Sequence, residues 1–375
     1  MFLFEEETND MSLVNIKVVG VGGGGGNAIN NMIAHNLKGA DFAAANTDNQ
    51  VLFLNDAPVK IQLGETLTRG RGAGADPNVG RDAALESVNA IREALTGAEM
   101  VFVAASLGGG TGTGAAPVIA SIAKEMGALT IGVVTRPFQF EAAQKAKVAD
   151  EGLREMKKGC HSVIVIPNQR LLNIVERGTP LRTAFLVADD ILRQAVSGIT
   201  DLIVQPGQIN VDFADVRAIM SYAGRAVMGM GTGKGEHRAV EAAQNAISSP
   251  LLEDGSIEGA KGILINICGG RDLSLHEVAE ASAIITEKVD IDAKVIFGTA
   301  VSLTDEESVK VTVIATGFQG EEKSDVSGDE RGARKGISFD ADKRGLLKKV
   351  PRMAGREAFC ESEWDVPTFL RRQAD

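Results

Sequence analysis

Two glycine-rich stretches constrain this chain more than anything else in it. In "VVGVGGGGGNAINNM", residues 18–32, an apolar run ends in five consecutive glycines before a helical pattern resumes. In "VFVAASLGGGTGTGAAP", residues 101–117, the same order recurs, with Thr111 and Thr113 set among Gly108, Gly109, Gly110, Gly112 and Gly114. A buried strand, a glycine turn and a helix start bring bare backbone N–H groups and the positive end of a helix dipole to one place, which favours an anion. The spacing predicts that the first of these helices begins near Asn27 and the second runs over 115–126. Gly20, Gly22 and Gly25 also satisfy G-x-G-x-x-G, with Asp41 about 20 residues on, the dinucleotide pattern. A third glycine segment, "TRGRGAGADP" at 68–77, is of the kind that closes over a terminal phosphate. A dehydrogenase needs only the first loop, whereas a triphosphate can use all three. None is a Walker loop, because GK[ST] is missing.

The pattern around the loops is α/β. Apolar runs at 15–21, 41–46, 58–63, 99–105, 129–135 and 161–166 alternate with helix-length segments, notably 78–95. That alternation predicts a doubly wound, mostly parallel sheet covered on both faces. Leu181, Phe185, Ala188, Ile191, Leu192, Ala195 and Ile199 recur at helical spacing, so 180–203 reads as one long, mostly buried helix. Strands at 262–270, 293–302 and 307–318, with helices near 235–248 and 274–287, read as a second, smaller α/β domain. The organisation expected is a leader (1–13), a nucleotide domain (14–179), a central helix (180–204), a loop and following helix (205–221) and a second domain (222–318). A basic linker (319–362) and a terminal peptide (363–375) follow.

Composition narrows the function. The net charge of −11 argues against nucleic-acid binding by the folded body. Three scattered cysteines and four scattered histidines offer no disulfide framework and no zinc site, and they suit a reducing cytoplasm. No apolar run is long enough to insert into a membrane. Residues 331–356 carry nine Lys or Arg against two Asp, a composition expected to stay disordered. The segment "EWDVPTFLRR", 363–372, holds the only Trp and has the look of a docking peptide.

"GGGTGTG" resembles the phosphate loop of the tubulin/FtsZ superfamily. "GVGGGGGNAINNM", "ANTDNQVL", "PFQFE", "IPNQRLL", "AFLVADD", "NVDFADVR" and "GKGEHRA" follow in the order of bacterial cell-division FtsZ. The resemblance runs over about 14–318, and "DVPTFLRR" is similar to that family's partner-binding tail. It implies a self-assembling GTPase that polymerises head to tail at the mid-cell division site. Gly22, Gly23, Gly24, Gly25, Gly26 and Asn27, with Gly108 to Gly114, would hold the phosphates of GTP or GDP. Ala73 and Gly74 would sit by the γ-phosphate, and Mg²⁺ would be bound mainly through the nucleotide. Glu141 and Lys145 fall to the ribose, and Asn168, Phe185 and Asp189 to guanine. A carboxylate suits the N1–H and N2–H₂ donors of guanine, which adenine does not match. Asn210, Asp212 and Asp215 would orient the attacking water on the nucleotide of the next subunit. Asp365, Val366, Pro367, Phe369 and Leu370 would meet a membrane-tethering division protein.

One departure stands out. The family's usual "PFxFEGxxR" reads "PFQFEAAQK" here, with Ala142 for glycine and Lys145 for arginine, which keeps the charge but loses the planar fork. Plainer readings stand beside these assignments: Phe185 as core, Asp189 as an exposed helix charge, and Asp212 and Asp215 as helix caps. A nicotinamide-dependent dehydrogenase and a non-hydrolysing structural relative remain the competing functions.

Overall fold

The computed structural model describes residues 14–176, 178–204, 208–252, 257–301 and 307–318. The leader at 1–13, the linker at 319–362 and the peptide at 363–375 lie outside the described residues. The chain order is β1 (Ile16–Val21), α1 (Gly22–Ala34), β2 (Asp41–Asn46), α2 (Asn49–Phe53), β3 (Val59–Gln62), α3 (Glu65–Thr68), α4 (Pro77–Glu86), α5 (Val88–Leu95), β4 (Met100–Ser106), α6 (Thr111–Glu125) and β5 (Leu129–Arg136). A one-turn 3₁₀ helix (Gln139–Glu141) leads into α7 (Ala143–Gly159), β6 (Ser162–Pro167), α8 (Asn168–Leu171) and the long α9 (Leu181–Val204). Then come α10 (Phe213–Met220), β7 (Gly224–Lys234), α11 (Arg238–Ile247), β8 (Gly262–Gly269), α12 (Leu275–Thr286), β9 (Lys294–Val301) and β10 (Ser308–Thr316).

The strands lie in the order β3-β2-β1-β4-β5-β6-β7-β10-β8-β9. Pairing is parallel from β3 to β7 and again between β8 and β9, and antiparallel where β10 meets β7 and β8. The mostly parallel sheet expected from the alternation is therefore present. Its two halves join through β7, whose first residues pair with β6 and whose remainder pairs with β10.

Three apolar clusters hold the layers. One is shared across α9: Ile29 and Met32 of α1 lie in the same cluster as Ala188, Ile191, Leu192, Ala195, Val196, Ile199 and Leu202 of α9, and as Met228, Leu264 and Ile314 of the second half. A second fills the opposite face under α4–α7, and a third lies among α11, α12 and strands β7, β8 and β10.

Two departures from the expected elements have local causes. The helix predicted over 78–95 is broken at Ser87, whose hydroxyl accepts the Gly64 N–H at 3.0 Å and reaches the Gln62 carbonyl at 3.4 Å. Strand β7 escaped the apolar pattern because its sequence, "GRAVMGMGTGK", is interrupted by glycine at alternate positions. Those glycines face α11. A Cβ on Gly229, Gly231 or Gly233 would strike the backbone carbonyl of Ala246, Ala242 or Arg238 respectively. Two residues of strand advance about 6.7 Å and four residues of helix about 6 Å, so the alternate glycines match successive turns of α11. Gly231→Ala must therefore push α11 off the sheet, at a cost of roughly 3 kcal/mol. Chemical denaturation should show that loss, with Thr232→Ala, on the other face of the strand, changing stability by less than about 1 kcal/mol.

Candidate functional site

Val21 pairs with Ala105 across β1 and β4, so both glycine loops leave the same, carboxyl edge of the sheet. The first helix begins at Gly22 rather than near Asn27, and the second at Thr111 rather than at Ala115. The glycines are thus the first helical turns themselves. Gly22 has φ +71, and the missing Cβ there leaves room for the Gly112 N–H, which would lie 2.9 Å from it. Neither α1 nor α6 has a side-chain cap or an acidic residue in its first turn. Two uncapped helix N-termini therefore converge on one cleft, each with unpaired N–H donors.

The other phosphate candidates divide. Ala73 is buried and packs on Gly110, while Gly74 is exposed at φ +58. The Thr111 hydroxyl lies 2.6 Å from that of Thr47. Thr113 is turned inward: it is buried, its hydroxyl accepts the Gly108 N–H at 2.9 Å, and its methyl meets Gly152 of α7. The structure brings its backbone to the helix start, but spends its side chain on the loop. Asp41 pairs with Lys17 at the amino end of the strands, the edge opposite the glycines, so the dinucleotide pattern lacks its acidic partner.

Beside the loops is a cavity of about 230 Å³ that gathers Gly24, Asn27, Glu141, Asn168, Phe185 and Asp189. These six residues come from four separate segments of the chain, and the sequence marks all of them. Phe185 is 40% exposed, so it is not core, and it meets Phe138 edge-on at 5.6 Å. Asn168 is buried and its side-chain oxygen has no hydrogen-bond partner. Leaving such a group unpaired is costly, which points to a ligand donor. Burial pushes the Asp189 carboxyl up to about 7. Glu141 accepts the Phe138 N–H at 2.9 Å and pairs with Lys145 at 3.1 Å, and Lys145 itself does not line the cavity.

Sequence reasoning missed Ser106, Leu107, Thr135 and Pro137, which with Ala188 complete the wall. Ser106 and Thr135 hydrogen-bond at 3.0 Å, and each is a polar residue near the carboxyl end of an apolar strand, a signal that was available. A larger groove, about 600 Å³, lies between α4, α6 and α7, but no buried unpaired polar side chain among the described residues lines it.

The second constellation is elsewhere. Asp212 caps α10, accepting the Asp215 N–H at 2.7 Å, and Asp215 pairs with Lys294 of β9 at 3.3 Å. Asn210 and Asp212 are exposed, as is the side chain of Asp215 in part. Asp212 does cap a helix, then, while Asp215 lies in that helix's first turn, and both reach solvent beyond the carboxyl end of α9. The cavity residues Phe185 and Asp189 sit near its amino end. A helix of 24 residues is about 36 Å long, so one chain cannot bring the two groups together.

A doubly wound sheet with two glycine-built helix starts, no Walker lysine and a long helix behind the cleft defines a tubulin-like nucleotide-binding protein. Residues 15–176 match the GTPase domain of the Tubulin/FtsZ family, and 224–319 match the C-terminal domain of the FtsZ family. A solved FtsZ from M. jannaschii, an empty dimer, is 45% identical with a TM-score of 0.78, covering 82% of this chain and 89% of that one. A mutant form of M. jannaschii FtsZ is 44% identical with the same TM-score, over 82% and 92%. CetZ2 of Haloferax volcanii, a GTPγS-bound protofilament, shares the fold at 19% identity and TM-score 0.71, over 82% and 94%. The chain belongs to the FtsZ family and is a GTPase.

The raised Asp189 value carries a stability consequence. The protonated carboxyl favours the nucleotide-free fold fully below the unfolded value of about 3.9, and that contribution is lost as pH rises to about 7. Thermal unfolding without nucleotide should show Asp189→Asn gaining stability over the unmutated chain as pH rises from about 4 to about 8, the window that brackets those two values. A difference that stays flat over that range would contradict the assignment.

Proposed function

We propose that the chain polymerises head to tail and hydrolyses GTP at the junction between subunits, as a filament of the cell-division machinery. The observation that carries this reading is the separation of the cleft from Asp212 and Asp215 along α9. Each end also exposes apolar side chains. Phe140, Leu172, Ile174 and Leu181 are exposed on the segments that carry Glu141, Asn168 and Phe185, and Ile291 and Phe297 are exposed on the loop and strand that carry Lys294. Unlike patches at opposite ends make a heterologous contact, which repeats into a filament.

In this reading the helix starts of α1 and α6 hold the phosphates, with Ala73 and Gly74 beside the terminal one. Glu141 faces the ribose. Phe185 packs on the base, and Asn168 and Asp189 read guanine. Guanine's N–H donors favour the ionised form of Asp189, so nucleotide restores the charge that burial disfavours. From the next subunit, Asn210 and Asp212 place the water and Asp215 polarises it. No group of three or more His, Cys, Asp or Glu among the described residues could hold a metal. Mg²⁺ would be held mainly through nucleotide oxygens and water, where it neutralises phosphate charge. We also keep the division into a nucleotide domain at 14–179 and a second domain at 222–318, joined by α9. No described helix is long and apolar enough to cross a membrane, and the proposed site of action is the division site.

Asp212→Ala should still bind GTP but hydrolyse it at least about 100-fold more slowly, and light scattering should still report GTP-driven assembly. Specific activity of the unmutated chain should fall steeply on dilution. Activity per molecule that persists unchanged in dilute, monomeric protein would rule out a shared site.

The tail carries a separate expectation. With a net +7 over 331–356, the linker is drawn to acidic surfaces in a salt-dependent but unselective way. Selectivity is assigned to Asp365, Val366, Pro367, Phe369 and Leu370, which suit an apolar groove with a charged rim on a membrane-tethering protein. Removing 363–375 should leave polymerisation intact and abolish binding to that adaptor, which a pull-down can measure. Unchanged adaptor binding by the truncated chain would refute the assignment.

A further inference from the structure

Ala142 has φ +84 and ψ 149, a conformation that is essentially restricted to glycine. The other described non-glycine residues at positive φ, Asn36, Arg69 and Ala75, lie between 51 and 63, in or near the ordinary left-handed well. Ala142 alone is outside it. Such a backbone persists only where its surroundings fix it from both sides.

Both sides are fixed here. Before Ala142, the turn carrying Glu141 is tied down by the Phe138 N–H bond to the Glu141 carboxylate at 2.9 Å. The turn's rings continue the anchorage: Phe138 stacks on Phe140 at 5.0 Å and meets Phe185 at 5.6 Å. After Ala142, α7 is seated on the second glycine loop. The Lys145 carbonyl lies 3.1 Å from where a Cβ of Gly108 would be, and Gly152 abuts Thr113. The ion pair from Lys145 Nζ to Glu141 Oε2, at 3.1 Å, joins the segments before and after the strained residue.

We propose that Ala142 and Lys145 are positioning residues that set how long a bound nucleotide stays. The turn that presents Glu141 to the ribose is held closed against strain at Ala142, and the Lys145–Glu141 pair is its catch. This rests on the assignment of the cavity to a guanine nucleotide. Opening the turn lets Ala142 relax to negative φ, so alanine favours the open state where glycine would not. Lys145 is half exposed, so the catch weakens with salt. The strain at Ala142 and the Lys145–Glu141 pair therefore act on one motion in opposite directions.

The test follows release of the fluorescent nucleotide mant-GDP from the full chain, chased with excess GDP. Ala142→Gly should slow release about tenfold, within the range that strain of this kind allows, and should raise the thermal midpoint. Lys145→Ala should speed release and remove its salt dependence, and the double variant should fall between the two. Ala143→Gly, at an ordinary helical position, should lower the midpoint without slowing release. Release from Ala142→Gly that is unchanged or faster, with mant-GDP bound normally, overturns the strained-turn proposal and leaves the nucleotide assignment standing. Failure of the unmutated chain to bind mant-GDP overturns both. Release from Lys145→Ala that keeps the salt dependence of the unmutated chain removes Lys145 from the proposal.

Discussion

The packing of α9 on both of its long faces is the constraint on which the rest of this molecule depends. One apolar cluster runs from α1 through α9 to β8 and β10, so neither half closes its core without that helix. The contact on the second half is close. Thr312 Cγ2 lies 3.0 Å from where a Gly198 side chain would begin, and the Asn266 amide donates to the Gly198 carbonyl at 3.1 Å. Interiors packed this tightly shift between discrete arrangements rather than deforming smoothly.

The cleft is built by the same means, close backbone approach, turned to another purpose. At β7 and α11 the missing side chains let a helix lie flat on a strand. At Gly22 and Gly112 they let two helix starts face each other without caps. The first arrangement buries its carbonyls in packing contact, and the second leaves donors unpaired at the sheet edge. Glycine content alone does not separate the two cases. What precedes and follows the glycines does: a strand and then a helix in one case, an alternating strand in the other.

That distinction sets how much was legible in the sequence. Strands β1–β6 and β8–β10 are legible as apolar runs, most clearly β1, β4, β5 and β6, because parallel strands buried on both faces are apolar throughout. Helix α9 was read from the spacing of its apolar residues. Strand β7 was not read, because glycine replaced apolar residues on the face that meets α11. The starts of α1 and α6 were placed late, since glycine is a poor helix former and only tertiary contact winds it. Among the cavity residues, Asn27, Glu141, Asn168, Phe185 and Asp189 were marked through the family resemblance, with chemistry in support for Asp189. Ser106 and Thr135 went unmarked, since one polar residue near the end of a strand is an ordinary event. The strain at Ala142 had a trace only as a departure from the family's glycine.

The energetic state of the cleft differs from that of Asp212 and Asp215 at the far end of α9. Around the cavity, Asp189 is held near neutrality by burial, the Asn168 oxygen is buried unpaired, and Ala142 is strained. Each costs the unliganded fold something, and two of the three would be relieved by a ligand offering N–H donors. At the other end of α9, Asp212 caps a helix and Asp215 is paired with Lys294, so those carboxylates are satisfied without any ligand. In the proposed filament, nucleotide would relieve the cost at the cleft, while the surface proposed to meet the next subunit needs no ligand. The proposed filament would then join a face stabilised by its ligand to a face that is stable alone. Loss of the nucleotide would be felt first on the cleft side of each junction.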